Sequence, residues 1–301
     1  MTEPRLQNPL PSLLVFTDLD GTLLDHDTYE FEQAMPALKL LQSLNIPLIP
    51  TTSKTVTELL QISQRLNNHH PFIAENGCII GLPEGYFNNT VTNQALHPDS
   101  HVYAPYTLIT LTPSYTEVLA VLQSLRREYG FKFQGFHDLS ANEIAELTQL
   151  PLSKAQLAQQ RLCSEPLVWL GDESGLQEFK TVLQQHNLQL LEGGRFWHVF
   201  GLTNKGLAMQ QLIDVYQNHG ATICTTIALG DSPNDIDMLK KADIAIVIKR
   251  KDGTRMDYCV DDGLNKRLLV SDKPGPAGWN DTLTTVLESL HANTVEGVRH
   301  V

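Results

Sequence analysis

The chain has 301 residues, 42% hydrophobic and 19% charged, the composition of a globular protein long enough for one large domain or two smaller ones. A net charge of −12, from 22 basic and 34 acidic residues, argues against nucleic acid or an anionic membrane as partner, so an anionic ligand requires locally gathered cations. Cys78, Cys163, Cys224 and Cys259 show no CxxC or zinc spacing, the start "MTEPRLQNPLPS" has no signal pattern, and no apolar run reaches the ~20 residues of a membrane span. Reduced cysteines in a soluble cytoplasmic protein are expected.

The chain opens with alternating elements. "LLVFTDL" is a short apolar run fit for a strand buried on both faces. "FEQAMPALKLLQSLN" then places Phe31, Ala34, Leu38 and Leu41 at helical spacing. "IPLIPTT" reads as a second strand with Pro47 and Pro50 at its ends, since proline cannot donate to a ladder. "TVTELLQISQRLNN" reads as a helix and "PFIAENG" as a third strand, so this stretch predicts a parallel sheet covered by helices.

The middle differs. Between about Tyr86 and Phe200, strand-like "YTLITLT" and "PLVWLG" mix with helical "SYTEVLAVLQSLRREYG", "LSKAQLAQQRL" and "LQEFKTVLQQHN", with glycine and proline at both edges. The early rhythm returns in helical "TNKGLAMQQLIDVYQNHG", strand "TTIALGDS", helix "PNDIDMLKKA", strand "DIAIVI" and helix "GWNDTLTTVLESLHAN". The fold class is therefore α/β, a Rossmann-like doubly wound parallel sheet with an inserted α+β domain. The expected boundaries are 1–84 and 201–292 for the core, 85–200 for the insertion and 293–301 for a loose tail.

In open parallel sheets, ligands bind beyond the carboxyl ends of the strands. Polar clusters fall at such places: "DLDGT" after the first strand, "TTSKT" after the second, and "GDSPND" after "TTIAL", with "NKG" at a helix start. "DLDGT" is not an EF-hand loop, because Leu23 and Tyr29 occupy the glycine and glutamate positions. It is either a solvated turn or a reaction centre, with Asp18 as nucleophile and Asp20 as general acid and base. Thr55 and Glu58 match a capping box, and the turn ahead of them, with the Thr52 and Ser53 hydroxyls, suits an anion unless these are ordinary caps. In "GDSPND", Ser232, Pro233 and Asp235 take the N-cap, N1 and N3 positions, leaving Asp231 at the strand end with Asp18. Two carboxylates there suit Mg²⁺, with Asp235 as ligand or support. Lys205 is a surface lysine or a cation for phosphate.

Together these motifs resemble the haloacid dehalogenase (HAD) superfamily, in the branch with a large C2-type cap between the second and third motifs, over roughly residues 12–290. "TSKT" (52–55), "FIAENG" (72–77), "SKAQLAQQRLCSEP" (153–166) and "GGRFWHVFG" (193–201) are similar to the mannosyl-3-phosphoglycerate phosphatase family, with asparagine before Lys205 and Cys163 as departures. The resemblance implies Mg²⁺-dependent hydrolysis of mannosyl-3-phosphoglycerate through an aspartyl-phosphate. The alternative is glucosyl-3-phosphoglycerate or another sugar phosphate; a phosphomutase and a non-catalytic sensor are further rivals. It implies Asp18, Asp20 through its carbonyl, Asp231 and Asp235 as metal ligands, and Thr52, Ser53, Lys54 and Asn234 with Lys205 around phosphate. In the cap, Arg195 and then Arg161 are candidates for the glycerate carboxylate, because a guanidinium grips carboxylate as a fork. Ser164, Glu165 and His198 stand behind them, and Trp197 is a sugar platform or a core residue. The expected partner is a small anionic sugar phosphate, and the expected state is monomer or homodimer.

Overall fold

A computed structural model of the protein describes residues 12–87, 103–193, 196–256 and 267–298. These form two compact units, one built from the chain up to Pro50 and from Tyr216 onward, the other from Thr51–Val215.

The first unit is a five-stranded sheet in the order β12-β11-β10-β1-β2, parallel throughout. Its strands are β1 (Leu13–Thr17), β2 (Leu48–Pro50), β10 (Thr225–Gly230), β11 (Ile244–Lys249) and β12 (Arg267–Pro274). The runs "LLVFT", "TTIALG" and "IAIVIK" are buried along nearly their whole length, which is why they read as continuous apolar stretches. Pro50 ends β2, so its missing N–H costs the ladder nothing internal. Helix α1 (Met35–Ser43) follows a 3₁₀ turn at Glu32–Ala34, and α8 (Ile236–Lys241) follows another at Pro233–Asp235. Helix α9 (Gly275–Val298) is anchored by Trp279, fully buried, whose indole N–H donates to Thr17 Oγ1 (3.0 Å). It continues beyond residue 292, where a loose tail is expected; no proline stands there, and an existing helix gains one bond per added residue.

The second unit holds α2 (Val56–Leu66), then a three-stranded antiparallel sheet of β3 (Phe72–Ala74), β4 (Ile79–Pro83) and β5 (Tyr106–Thr110). The capping box foreseen at Thr55 and Glu58 opens α2. The inserted cap is a four-stranded antiparallel sheet, ordered β6-β7-β9-β8. Its strands are β6 (Phe133–Gly135), β7 (Ser164–Trp169), β8 (Leu188–Glu192) and β9 (Trp197–Gly201). Helices α3 (Tyr115–Tyr129) and α6 (Glu173–Gln185) supply Val118, Leu122, Leu125, Phe179 and Leu183 to a core with Leu167, Leu188 and Val199. Trp197 packs against this core, so its ring is a core element with Lys180 over it at 4.5 Å. Helices α4 (Ala141–Thr148) and α5 (Leu152–Ala158) make a smaller cluster with Phe136, and α7 (Lys205–Asn218) follows the cap.

His70 is half-buried and its Nδ1 bonds the Tyr86 hydroxyl (2.7 Å). Arg126 of α3 pairs with Asp138 (2.6 Å) and lies 4.2 Å from the Phe133 ring centroid, while Arg127 and Glu128 beside it are exposed. Cys259 lies outside the described residues.

Candidate active site

In the first unit, β1 and β10 run side by side with Thr17 opposite Leu229, so both strands end together. The Asp18 N–H donates to the Leu229 carbonyl (2.9 Å), fixing Asp18 one step beyond the strand. The chain leaves β1 toward β2 on one side and meets β10 on the other, which makes this edge the switch point of the sheet. Here Asp18, Asp231 and Asp235 place one carboxylate oxygen each within 4.8 Å of one another. All three are buried, at 5%, 7% and 0% exposure.

The surrounding backbone is shaped for this cluster. Gly21 has φ +82°, and a Cβ on it would lie 2.9 Å from Asp231 Oδ2, so any other residue would strain the turn and crowd the carboxylate. Thr22 donates its hydroxyl to Asp231 Oδ1 (2.9 Å). Asp235 Oδ2 accepts from the Asp231 and Ser232 N–H groups, both at 3.0 Å, and so holds the turn that carries Asp231. Arg250 Nε donates to the Asp231 carbonyl (3.0 Å). The Asn234 side chain is held by the Ser232 hydroxyl. Three buried carboxylates this close repel one another, and a hard oxygen-seeking cation such as Mg²⁺ fits that donor set.

The second unit carries the remaining sequence candidates. Thr52 is buried, its N–H donating to Ile73 O (3.0 Å) and its Oγ1 accepting from the Lys54 N–H (3.3 Å). Ser53 stays half-buried, and Lys54 lies 3.8 Å from Glu58. Lys205, at the start of α7, is 1% exposed, so it is no surface lysine.

In the cap, Arg161 is buried. Its Nε donates to Ala158 O (2.9 Å), and Nη1 donates to Ser53 O (2.8 Å) and Ser164 Oγ (3.4 Å). Its Nη2 meets no acceptor, and its guanidinium no ion-pairing carboxylate, among the described residues. Ser164 and His198 share the sheet face opposite the cap core, since Ser164 pairs with Phe200 and Pro166 with His198. His198 is buried, and its Nδ1 has no hydrogen-bond partner. Burial, with Arg161 and Lys205 nearby, lowers its pKa to about 3, so the ring is neutral at ordinary pH. Glu165 points the other way. Its Oε2 accepts from the Tyr115 hydroxyl (2.6 Å) and its Oε1 from the His137 N–H (2.8 Å). Burial raises its pKa, and its neighbourhood is the helix-covered side of the cap. Arg195 lies outside the described residues.

Two residues of the site have no role in the motif reading: Thr22, which was available in "DLDGT", and Arg250, in "IKRKDG", which carries no signal of its own.

A profile of haloacid dehalogenase-like hydrolases matches residues 15–254. The chain belongs to this family, a conclusion its sheet order and acidic switch point share. Its reaction class is that of a phosphoric monoester hydrolase. Two curated relatives carry the name glucosyl-3-phosphoglycerate/mannosyl-3-phosphoglycerate phosphatase. One, from Methanococcoides burtonii, is 37% identical over 91% of this chain and 97% of its own length. The other, from Persephonella marina, is 32% identical over 92% and 98%. Solved structures agree in fold. A phosphatase of the HAD superfamily from Bacteroides thetaiotaomicron has TM-score 0.61 at 19% identity, over 90% of this chain and 94% of that one. The sucrose-phosphatase of Synechocystis sp. PCC6803, solved with sucrose and phosphate, has TM-score 0.56 at 16% identity, over 92% and 98%. No helix among the described residues is long and apolar enough to cross a membrane.

Proposed function

We propose that this chain is a Mg²⁺-dependent phosphatase of hexosyl-3-phosphoglycerates, releasing phosphate from mannosyl-3-phosphoglycerate and leaving mannosylglycerate. The glucosyl compound is the second substrate, favoured by the joint name of both relatives. The observation that carries the reading is Arg161, a buried guanidinium with an unengaged Nη2 edge and no ion-paired carboxylate among the described residues. Glu165 feels the Arg161 charge without an ion-pair contact, and a planar fork of N–H donors with a spare edge matches a carboxylate at contact distance. A glycerate carboxylate supplies that anion, with Ser164 and the neutral His198 offering hydrogen bonds to the sugar on the same sheet face. Glu165, bonded to Tyr115 and His137, has a supporting role.

For the chemistry, Asp18 attacks phosphorus and the P–O bond to the glycerate breaks, giving an aspartyl-phosphate. Asp20 gives its proton to the departing oxygen, then takes one from the water that hydrolyses the acyl phosphate. Lys205, Thr52, Ser53 and Asn234 neutralise or bond the phosphoryl oxygens, with Lys54 adding charge. Asp18, Asp231, Asp235 and the Asp20 carbonyl hold Mg²⁺, which supplies charge stabilisation to the transferring phosphoryl group. In this reading the residues near 85–200 choose the substrate and the rest carry the phosphoryl chemistry.

The test is phosphate release across mannosyl- and glucosyl-3-phosphoglycerate and plain hexose phosphates, with Mg²⁺ and with a chelator. The phosphoglycerates are expected to win and chelation to abolish turnover. A clear preference for hexose phosphates would overturn the substrate assignment, and substrate loss without stoichiometric free phosphate would point to a phosphomutase.

A further inference from the structure

Glu75 is fully buried, yet it takes no part in the phosphoryl chemistry set out above. It begins a turn in which three consecutive residues occupy the left-handed region: Glu75 at φ 49°, Asn76 at 58° and Gly77 at 98°. Residues with a Cβ avoid this region, and it persists where surrounding contacts over-determine it.

Those contacts run to three segments that carry site residues. The Glu75 backbone N–H donates to Lys54 O (3.0 Å) and the Asn76 N–H to Thr52 O (2.9 Å), so the turn's backbone grips the phosphate loop. A Cβ on Gly77 would lie 2.4 Å from Asn204 O, and Thr203 Oγ1 donates to Gly77 O (3.3 Å), so the turn abuts the start of the Lys205 helix. The Glu75 side chain reaches the cap. Oε1 accepts from the Leu162 N–H (2.8 Å), and Oε2 accepts from the Cys163 N–H (3.1 Å) and the Ser164 hydroxyl (2.6 Å). Arg161 closes the circuit by donating from Nη1 to Ser53 O (2.8 Å).

The division of labour is clear in these bonds. The turn's backbone groups bind the phosphate loop and its carboxylate binds the segment bearing Arg161 and Ser164, which is held besides by Arg161 Nη1 on Ser53 O, by the Tyr115 N–H on Leu162 O and by the pairing of Ser164 with Phe200. We propose that Glu75 is a positioning residue that sets the distance between the phosphate loop and the Arg161 carboxylate subsite. It thereby selects phosphomonoesters that carry a carboxylate on the neighbouring carbon skeleton. This rests on the hexosyl-phosphoglycerate reading above.

The test compares Glu75→Gln with wild type on mannosyl-3-phosphoglycerate and on p-nitrophenyl phosphate, which has no carboxylate. The amide keeps the shape but presents N–H donors where the Cys163 N–H needs an acceptor. Misplacing a binding group by a fraction of an ångström to 1 Å costs up to about a hundredfold. The expected result is therefore a loss of roughly tenfold to a hundredfold in kcat/KM for the phosphoglycerate, most of it in KM, with p-nitrophenyl phosphate within about threefold of wild type. Glu75→Asp, which keeps the charge but shortens the reach, gives the same split at smaller size and serves if the glutamine variant does not fold. Equal losses on both substrates, or no loss on either, would overturn the proposal. A wild-type enzyme with no preference for the phosphoglycerate would overturn the substrate reading itself, and with it the role given to Glu75. The two failures are thus told apart by whether the wild-type preference is present.

Discussion

Asp18 and Asp231 are far apart in the chain, and their carboxylates meet because the parallel register of β1 and β10 ends both strands at one level. Changing Asp18 to Asn keeps the shape, removes the carboxylate proposed above as the nucleophile and relieves repulsion within a buried carboxylate cluster. The variant is expected to lose at least about a thousandfold in kcat, by analogy with removal of other covalent nucleophiles, and to melt no lower than wild type without metal. Retained activity would remove Asp18 from the nucleophile's role. His198 makes a prediction of the opposite kind, on stability alone. Its pKa falls from 6.5 to about 3 in the fold, chiefly through desolvation and then through Arg161 and Lys205. Below about pH 6.5 the unfolded chain takes up a proton that the folded chain refuses down to about pH 3, so stability falls as pH falls through that window. The slope is about 1.4 kcal/mol per pH unit for one such group. His70, lowered to about 4 by burial, acts in the same direction. Denaturant unfolding of His198→Asn between pH 6.5 and 4 should show a shallower fall than wild type, with the His70 share remaining.

At the scale of elements, α2 shows how a cap residue serves two purposes. Thr55 Oγ1 accepts from the Glu58 N–H (3.2 Å), closing the capping box, and lies 3.0 Å from Leu157 O on α5. Thr55→Ala should cost about 1 kcal/mol or somewhat more by urea unfolding, since it loses the cap and that bond together, whereas Thr55→Ser should stay close to wild type. Comparable losses in both variants would mean that the methyl group, not the hydroxyl, matters. This capping box was legible because it is local, written in residues three apart. The buried strands β1, β10 and β11 were legible for a related reason, that a strand covered on both faces must be apolar throughout. β12 gave no such signal: most of "RLLVSDKP" is exposed or half-buried, as befits an edge strand. β6 has three residues, too few for a period to appear. In the site, Asp18, Asp231 and Asp235 stood out because each follows a readable strand. Glu75 did not, because its partners Leu162, Cys163 and Ser164 lie 87 to 89 positions away, and nothing in "ENG" names them.

At the scale of the whole molecule, the Mg²⁺ site proposed above would tie folding to a cation. Three buried carboxylates with oxygens within 4.8 Å oppose the folded state electrostatically, and an ion that binds only the folded chain reverses this. On that proposal the expected stabilisation is RT ln(1 + [Mg²⁺]/Kd), about 2.7 kcal/mol at a hundred times Kd, read as a higher melting temperature than in a chelated sample. Asp235 lets its two roles be separated. Its Oδ2 accepts from the Asp231 and Ser232 N–H groups, and an asparagine carbonyl can take those two bonds while the amide nitrogen cannot ligate a cation. Asp235→Asn should therefore melt near wild type in chelator yet show a much smaller Mg²⁺ shift. Asp235→Ala leaves the buried N–H groups without an acceptor, so it should lose about 1–3 kcal/mol even without metal. Calorimetry with and without Mg²⁺ checks both variants. A full Mg²⁺ shift in Asp235→Asn would show that Asp235 holds the turn and does not ligate, leaving Asp18 and Asp231 as the carboxylate ligands.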